Sequence, residues 1–239
     1  MTTEGTLLGG QVRYDQPAGG FRSGIEPVLM AAAVPAKPGQ RVLEGGTGAG
    51  AALLCVAARV RDIRGLGVEI DPALAALAAR NAEASGFAGI QIVASPLETA
   101  SLAADFDHAM ANPPYHAGDG TASPDRAREL AKRGGDSLLT DWISRLSRAL
   151  RHRGSLTLIV PAGRVPCCLA AMKASGCACS NVIPLWPKAD RAAKLVVLRG
   201  VRHGRGDMRL CRGLVLHDRD GGFTPKARAI LYEGQALTP

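Results

Sequence analysis

The chain has 239 residues, enough for one large domain or for one domain with a small extension. Hydrophobic residues make up 46% and aromatics only 4%, so a sizeable core must be filled mainly by Ala, Val and Leu. Lys and Arg number 29 against 21 acids, and this +8 balance points to a polyanionic partner, nucleic acid first, while no apolar run reaches the ~18 residues of a membrane span.

Met1 to Gly10 has no basic residue ahead of its apolar pair and does not read as a signal peptide, so a cytoplasmic location is expected. Residues 1–26 are Gly-rich, with Gln11–Tyr14 as a hairpin strand. Glu26-Pro27 then opens an apolar helix through Ala33, with Pro in the first turn, where its missing N–H is tolerated. Pro35 and Pro38 close that helix, so residues 1–40 read as an N-terminal hairpin and helix extension to a domain at 41–239.

From Arg41 the pattern becomes strand, Gly-rich loop, helix, repeated. Arg41–Glu44 is a short strand, Gly45 to Gly50 the loop, and Ala51–Val60 a helix with no polar residue before Arg59. Arg64–Ile70 is a second strand. Asp71 caps and Pro72 starts a second helix, which ends near Gly86. Ile90–Ala94 and Asp107–Ala111 are the third and fourth strands, the latter ending at Asn112-Pro113-Pro114-Tyr115. A charged segment expected to be mobile follows, from His116 to Asp136. Leu138–Leu150 is an amphipathic helix, Ser155–Val160 a fifth strand and Val165–Ser175 a helix. Val182–Leu185, Leu195–Leu198 and Leu214–His217 are late strands. Strands separated by helices of this length imply a parallel α/β sheet with right-handed crossovers.

Three motifs carry chemistry. Asn112 to Tyr115 suits the gripping of a planar group that bears an NH2. The Asn112 side-chain oxygen and the Pro113 carbonyl can each accept one of its N–H bonds, and Tyr115 offers a stacking face. Alone, the tetrapeptide is equally a strand-ending turn, since Asn and Pro are ordinary turn residues. Glycines 46, 48 and 50 form a G-x-G-x-G turn between strand and buried helix, where open α/β sheets bind ligands. Dinucleotide sites want G-x-G-x-x-G. Glu69 ends the second strand, where such folds hold ribose hydroxyls.

Glycine loop, acid and Asn-Pro-Pro-Tyr, in this order, resemble the class I S-adenosylmethionine-dependent methyltransferases from about Arg41 to Val160. The tetrapeptide resembles the turn of their amino-methylating branch. Gln16-Pro17, Phe21 to Glu26, Pro187 to Ala193 and Val215 to Thr224 look like the bacterial tRNA (adenine-N6)-methyltransferases that modify the purine beside the anticodon of a valine tRNA. The resemblance implies a Rossmann-like fold, with a seven-stranded, mostly parallel sheet and helices on both faces. It implies S-adenosyl-L-methionine as cofactor. The loop residues Gly46, Thr47, Gly48 and Gly50 would take its methionine moiety and Glu44 its amino group. Glu69 would take the ribose, beside Ile70. Ser95 stands where relatives usually carry an acid at the adenine, with Pro96 next to it. Phe21 and Gly24 would belong to a segment folding over the cofactor. Asn112, Pro113, Pro114 and Tyr115 would form the catalytic turn.

The tail holds Lys188, Arg191, Lys194, Arg199, Arg202, Arg205, Arg209 and Arg212 against only Asp190 and Asp207. On a nucleic-acid enzyme these would contact phosphates, so the expected partner is RNA, tRNA above all. Cys55, Cys167, Cys168, Cys177, Cys179 and Cys211 contain no C-x-x-C pair, and their spacing fits no usual zinc pattern. They read as buried small residues of a reducing compartment, with no metal expected. A protein glutamine methyltransferase, a guanine-N2 or DNA-adenine enzyme, and a nucleotide-binding module or dinucleotide oxidoreductase remain as rival readings.

Overall fold

The computed structural model describes residues 2–19, 24–113 and 136–239. Seven long strands build the central sheet: β1 (Arg41–Gly45), β2 (Arg64–Glu69), β3 (Ile90–Ala94), β4 (Phe106–Ala111), β5 (Leu150–Pro161), β6 (Cys177–Trp186) and β7 (Leu195–Arg202). Two strands of two residues, β8 (Arg209–Leu210) and β9 (Leu214–Val215), both pair with β6. The order across the sheet is β8-β6-β7-β5-β4-β1-β2-β3. Strands β1 to β5 run parallel, and β7 is antiparallel to both its neighbours, β5 and β6. The seven strands that the resemblance implies are thus present. Strand β9 falls within the expected Leu214–His217, and β8 is an addition too short to show any period in sequence.

The inner parallel strands are covered on both faces and alternate their side chains between two cores, while β3 at the sheet edge leaves Gln91, Val93 and Ala94 exposed. Val42, Met110, Ile159 and Val197 enter one core. Leu43, Ala109, Leu158 and Val196 enter the other. The first core is closed by α1 (Glu26–Ala33), α2 (Ala51–Arg59) and α3 (Pro72–Ala84), and the second by α4 (Asp136–Ala149) and α5 (Val165–Ala174). The last helix, α6 (Pro225–Glu233), joins the first core.

Local signals explain most of these elements. Asp71 caps α3 by accepting from the N–H groups of Ala73 and Leu74 at 2.8 and 3.3 Å, with Pro72 in the first turn. Helix α6 is an addition to the sequence reading. Its signature is ordinary: the Thr224 hydroxyl accepts from Ala227 N–H, Pro225 follows the cap, and Gly234 ends the helix at φ 71°. Strand β5 begins at Leu150, five residues before the expected Ser155, with a register shift against β4 on the way. His116, and all of the segment to Asp136 except its last residue, lie outside the described residues.

Residues ahead of β1 pack into the first core rather than standing apart. Val12 and Tyr14 are buried there with Leu29 of α1 and Leu54 of α2. Two short antiparallel pairs, Thr6–Leu7 with Val12–Arg13 and Thr2–Thr3 with Gln16–Pro17, shape this stretch. Arg59 at the end of α2 closes α1 by donating to the carbonyls of Ala31 and Val34. Leu237 N–H reaches the Ala32 carbonyl, so the tail docks on the same helix.

One buried polar side chain ties the leading segment to the sheet. The Asn81 amide donates to the carbonyls of Asp15 and Ala49, and its oxygen accepts from Asp15 N–H, at 2.9, 2.9 and 3.0 Å. Asn81 is 3% exposed, so its loss leaves buried backbone groups unpartnered. Asn81→Ala is expected to destabilise the fold by about 2–3 kcal/mol, at ~1 kcal/mol per lost bond. Urea unfolding measures this, and a change under 0.5 kcal/mol would refute the tether.

Candidate active site

The strand order reverses between β1 and β4, with β2 and β3 on one side and β5 on the other. Crossovers leave in opposite directions there and open a crevice at the carboxyl ends of the strands. The register brings four segments to this edge. Gly45 pairs with Ala111, so Asn112 emerges beside the loop that follows β1. Glu69 pairs with Ala94, and Ser95 N–H bonds to the Glu69 carbonyl at 2.8 Å. The expected site residues at the ends of β1, β2, β3 and β4 therefore converge.

The glycine loop is held from inside. Gly46 and Thr47 both donate their N–H to the Val68 carbonyl, at 2.8 and 3.1 Å, and Gly50 N–H bonds to the Thr47 carbonyl at 2.9 Å. Gly48 N–H donates to Glu69 Oε2 at 2.8 Å, while Asp71 N–H donates to Oε1 at 3.0 Å. Glu69 thus clamps the loop after β1 to the turn after β2. Gly48 has φ 56°, and a Cβ there would meet no atom within 4 Å, so the backbone is open to a ligand. Gly46 has φ 67°, and a Cβ there would lie 2.6 Å from the Trp142 ring. That ring, on α4, is fixed by its Nε1–H bond to Glu98 Oε1 at 2.8 Å. Neither Trp142 nor Glu98 was expected at the site. Their link to the loop is a contact made across the sheet edge, with no sequence spacing to signal it.

Glu44 lies at the end of β1 and is 3% exposed. Its Oε2 accepts from the Thr47 hydroxyl at 2.6 Å and from Leu53 N–H at 3.1 Å. Burial pushes its carboxyl up to about 8, against the lowering effect of those two bonds, with Glu69 adding a further upward push. The ligand-free acid is therefore largely protonated at neutral pH. Thr47, expected to face the cofactor, has both its N–H and its hydroxyl committed inside the loop, so it shapes the loop rather than offering a free donor. The Ser95 hydroxyl turns to the Pro96 carbonyl at 3.2 Å, and Pro96 and Ile70 are exposed at the rim, Ile70 by 48%.

Asn112 is half-buried and Pro113 buried at the end of β4. Pro114, Tyr115 and Phe21 lie outside the described residues. Gly24 is exposed, and a Cβ there would stand 2.2 Å from the Glu26 carboxylate, which folds back against it.

The loop chemistry selects the charge of its ligand. A phosphate cradle turns free backbone N–H groups toward an anion. Here the N–H groups of Gly46, Thr47, Gly48 and Gly50 are all taken within the protein, and two buried carboxyls stand behind them. Such a site suits a cation, and a sulfonium that also carries an ammonium group fits it where a pyrophosphate does not.

The family model described as Methyltransferase small domain matches residues 27–160. The chain belongs to that family. This methyltransferase is similar to the tRNA1(Val) (adenine(37)-N6)-methyltransferases of Aeromonas hydrophila, at 29% identity over 90% of this chain and 91% of the relative, and of Aeromonas salmonicida, at 30% over 90% and 89%. Among solved structures, a protein of Agrobacterium tumefaciens described as a predicted O-methyltransferase superposes with TM-score 0.73. It is 22% identical, covering 89% of this chain and 98% of its own. The geranyl diphosphate C-methyltransferase of Streptomyces coelicolor A3(2), solved with S-adenosyl-L-homocysteine, gives 0.55 at 16% identity, over 73% and 76% of the two chains. These two likenesses establish a Rossmann-like methyltransferase fold. The methyltransferase uses S-adenosyl-L-methionine.

The carboxyl and a second buried group set the pH dependence of stability. Glu44 keeps its proton in the fold up to about pH 8 but releases it near 4.5 when unfolded, so the folded state binds more protons between those values. Stability must fall as pH rises through that window. His108, in β4, has the opposite sign: burial lowers it from 6.5 to about 4, so its contribution rises with pH between them. His108 is neutral at pH 7, donating from Nε2 to Gln40 Oε1 and accepting at Nδ1 from the Ser155 hydroxyl. The two effects oppose each other below pH 6.5. From 6.5 to 8 only Glu44 remains, worth ~2 kcal/mol at ~1.4 kcal/mol per pH unit. Glu44→Gln keeps an acceptor for Thr47 and Leu53 and is expected to abolish that part of the fall in ligand-free Tm. An unchanged slope between pH 6.5 and 8 would show that Glu44 is ionised in the fold.

Proposed function

We propose that this methyltransferase methylates the N6 amine of an adenine in tRNA, with Asn112 and Pro113 as its amine clamp. The observation that carries the reading is the register of β1 on β4, which sets Asn112 beside the glycine loop. The names of the Aeromonas relatives support the choice of tRNA and of adenine. The cofactor supplies a methyl group bonded to a positively charged sulfur.

The residues then have distinct tasks. Glu44 and Glu69 face the cationic ligand from behind the loop, and ionisation of Glu44 would accompany binding. Gly48 lets the ligand approach the backbone, Glu69 meets the ribose hydroxyls, and Ile70, Ser95 and Pro96 border the adenine. Residues 1–40 form the extension over this side, with Phe21 and Gly24 in its covering segment. An adenine amine is a weak nucleophile because its lone pair is delocalised into the ring. Two acceptors, the Asn112 side-chain oxygen and the Pro113 carbonyl, would hold its two N–H bonds. They favour a pyramidal nitrogen and its growing positive charge. Pro114 stiffens the turn, and Tyr115 stacks on the base once it has left the helical stack. The nitrogen lone pair forms the new N–C bond as the C–S bond breaks, and the surplus proton leaves to solvent. In-line placement supplies much of the rate, since well-oriented reactants gain ~7–11 kcal/mol.

RNA contacts are proposed at the same edge of the sheet. Leu185 of β6 and Leu195 of β7 pair there, next to Pro161 of β5. The connection between them carries Lys188, Arg191 and Lys194, the last two exposed, and these would neutralise phosphates of a tRNA in the cytoplasm. Arg199 and Arg202 leave this set. The half-buried Arg199 donates to the carbonyl of Ala33 and to Asn181 Oδ1, and Arg202 donates to the Ser175 carbonyl at the end of α5. Both guanidinium groups serve the fold.

Asn112→Ala is expected to lower methyl transfer by about 10²–10³-fold, the usual effect of removing one charge-stabilising partner, with cofactor affinity within a few-fold of the parent. Radiolabelled transfer to total tRNA, rRNA and release factor from a deletion strain, followed by nucleoside mass spectrometry, names the acceptor. Near-normal turnover in Asn112→Ala would remove the catalytic assignment. Label in release factor instead of tRNA would move the substrate to a glutamine amide.

A further inference from the structure

A cavity of about 780 Å3 opens at the far end of the sheet, between the start of β5, the end of α5, the start of β6 and the end of β7. Its walls carry His152, Arg153, Lys173, His203 and Arg205, and none of its lining residues is acidic. Asp107 of β4 is already engaged by the Arg151 side chain and by Arg41 N–H. Along β5, Arg153 lies five residues before Leu158, the partner of Ala111 at the end of β4. At ~3.3 Å per residue the cavity stands roughly 17 Å from the level of the methyl-transfer site.

Two features mark this cavity as more than a solvated basic surface. The rings of His152 and His203 stack with centroids 5.5 Å apart, and their Nδ1 atoms approach to 3.3 Å. In such a contact one Nδ1 donates and the other accepts, which leaves the Nε2 of the neutral accepting ring as an N–H donor. Backbone strain also gathers here. Among the described residues four non-glycines have positive φ, and two of them, Arg153 at 64° and His203 at 53°, line this cavity. Residues held in this region persist where the surroundings enforce them, and they cluster at ligand sites. Gly176, at φ 70°, accepts from His203 N–H through its carbonyl, and a Cβ on it would meet the Arg202 guanidinium at 3.4 Å.

We propose that this cavity is a second, anion-binding site, built to hold a phosphate group between Arg153, Arg205, Lys173 and the histidine pair. The phosphate comes either from a free anion or from the backbone of a bound RNA, and only the second source rests on the tRNA reading above.

Long-range 1H–15N spectra of the full chain, titrated with inorganic phosphate and with pyrophosphate, test the site without reference to methyl transfer. Saturable shifts of His152 and His203 are expected. They should weaken at least 10-fold in Arg153→Asn/Arg205→Gln, where Asn tolerates the left-handed backbone at 153. Unchanged S-adenosylmethionine affinity and Tm show that the variant is folded. Anisotropy with tRNA separates the sources. A loss of affinity in the double variant, with a log–log salt slope lower by about one to two, assigns the phosphate to RNA, whether or not the free anions bind. Unchanged tRNA affinity with weakened anion shifts assigns it to a free anion. If tRNA affinity is unchanged and neither anion gives saturable shifts, or the shifts persist undiminished in the variant, the proposal is overturned.

Discussion

Two buried carboxyls hold the cofactor edge of this methyltransferase together. Glu69 takes an N–H from the loop after β1 with one oxygen and an N–H from the turn after β2 with the other. Glu44 takes the Thr47 hydroxyl and the N–H of Leu53, joining the same loop to the first turn of α2. Donors that would otherwise face the crevice are drawn inward. The loop is left rigid and lined by acceptors, and that gives a glycine-rich turn a preference for a cation. A dinucleotide fold with nearly the same glycine pattern does the reverse and aims its N–H groups at pyrophosphate. The difference lies in where the amides point, which the glycines alone do not specify.

The rest of the architecture follows from closing a parallel sheet over such an edge. Because β7 is antiparallel, it carries the chain from the catalytic edge back to the opposite one. The basic tail is thereby divided. Lys188, Arg191 and Lys194 stay at the edge that holds Asn112, while Arg205 is delivered to the far end, beside Arg153 and Lys173. One composition signal, a surplus of Lys and Arg, thus becomes two separate fields and a few internal caps. Charge of this kind steers nucleic acid before any specific contact forms.

Much of this was legible in the chain itself. Asp71-Pro72 announces α3 because capping is a local property. The short runs set between Gly-rich loops and helices announce β1, β2 and β4, because the repeated strand–loop–helix pattern needs little else. The order of loop, acid and tetrapeptide locates the site because a doubly wound sheet places the ends of successive strands side by side. What was not legible depends on contacts between distant segments. Thr47 reads as a ligand contact until Glu44 is seen to take its hydroxyl. Arg199 and Arg202 read as surface charge until Ala33, Asn181 and Ser175 are seen to accept from them. Trp142 enters the site only because α4 crosses the loop after β1, and Asn81 becomes a tether only because the leading segment folds back on α3.

The same burial that tunes Glu44 also protects the chemistry. A thiolate is a far better acceptor for a sulfonium methyl group than an adenine amine, so a methyltransferase that carries cysteines must keep them protonated and out of reach. Burial pushes the Cys177 thiol up to about 12 and the Cys179 thiol up to about 11. Cys55, on α2 behind the loop, is raised further still, chiefly by burial. Nucleophilicity resides in the thiolate, and at neutral pH almost none of it exists at these three positions.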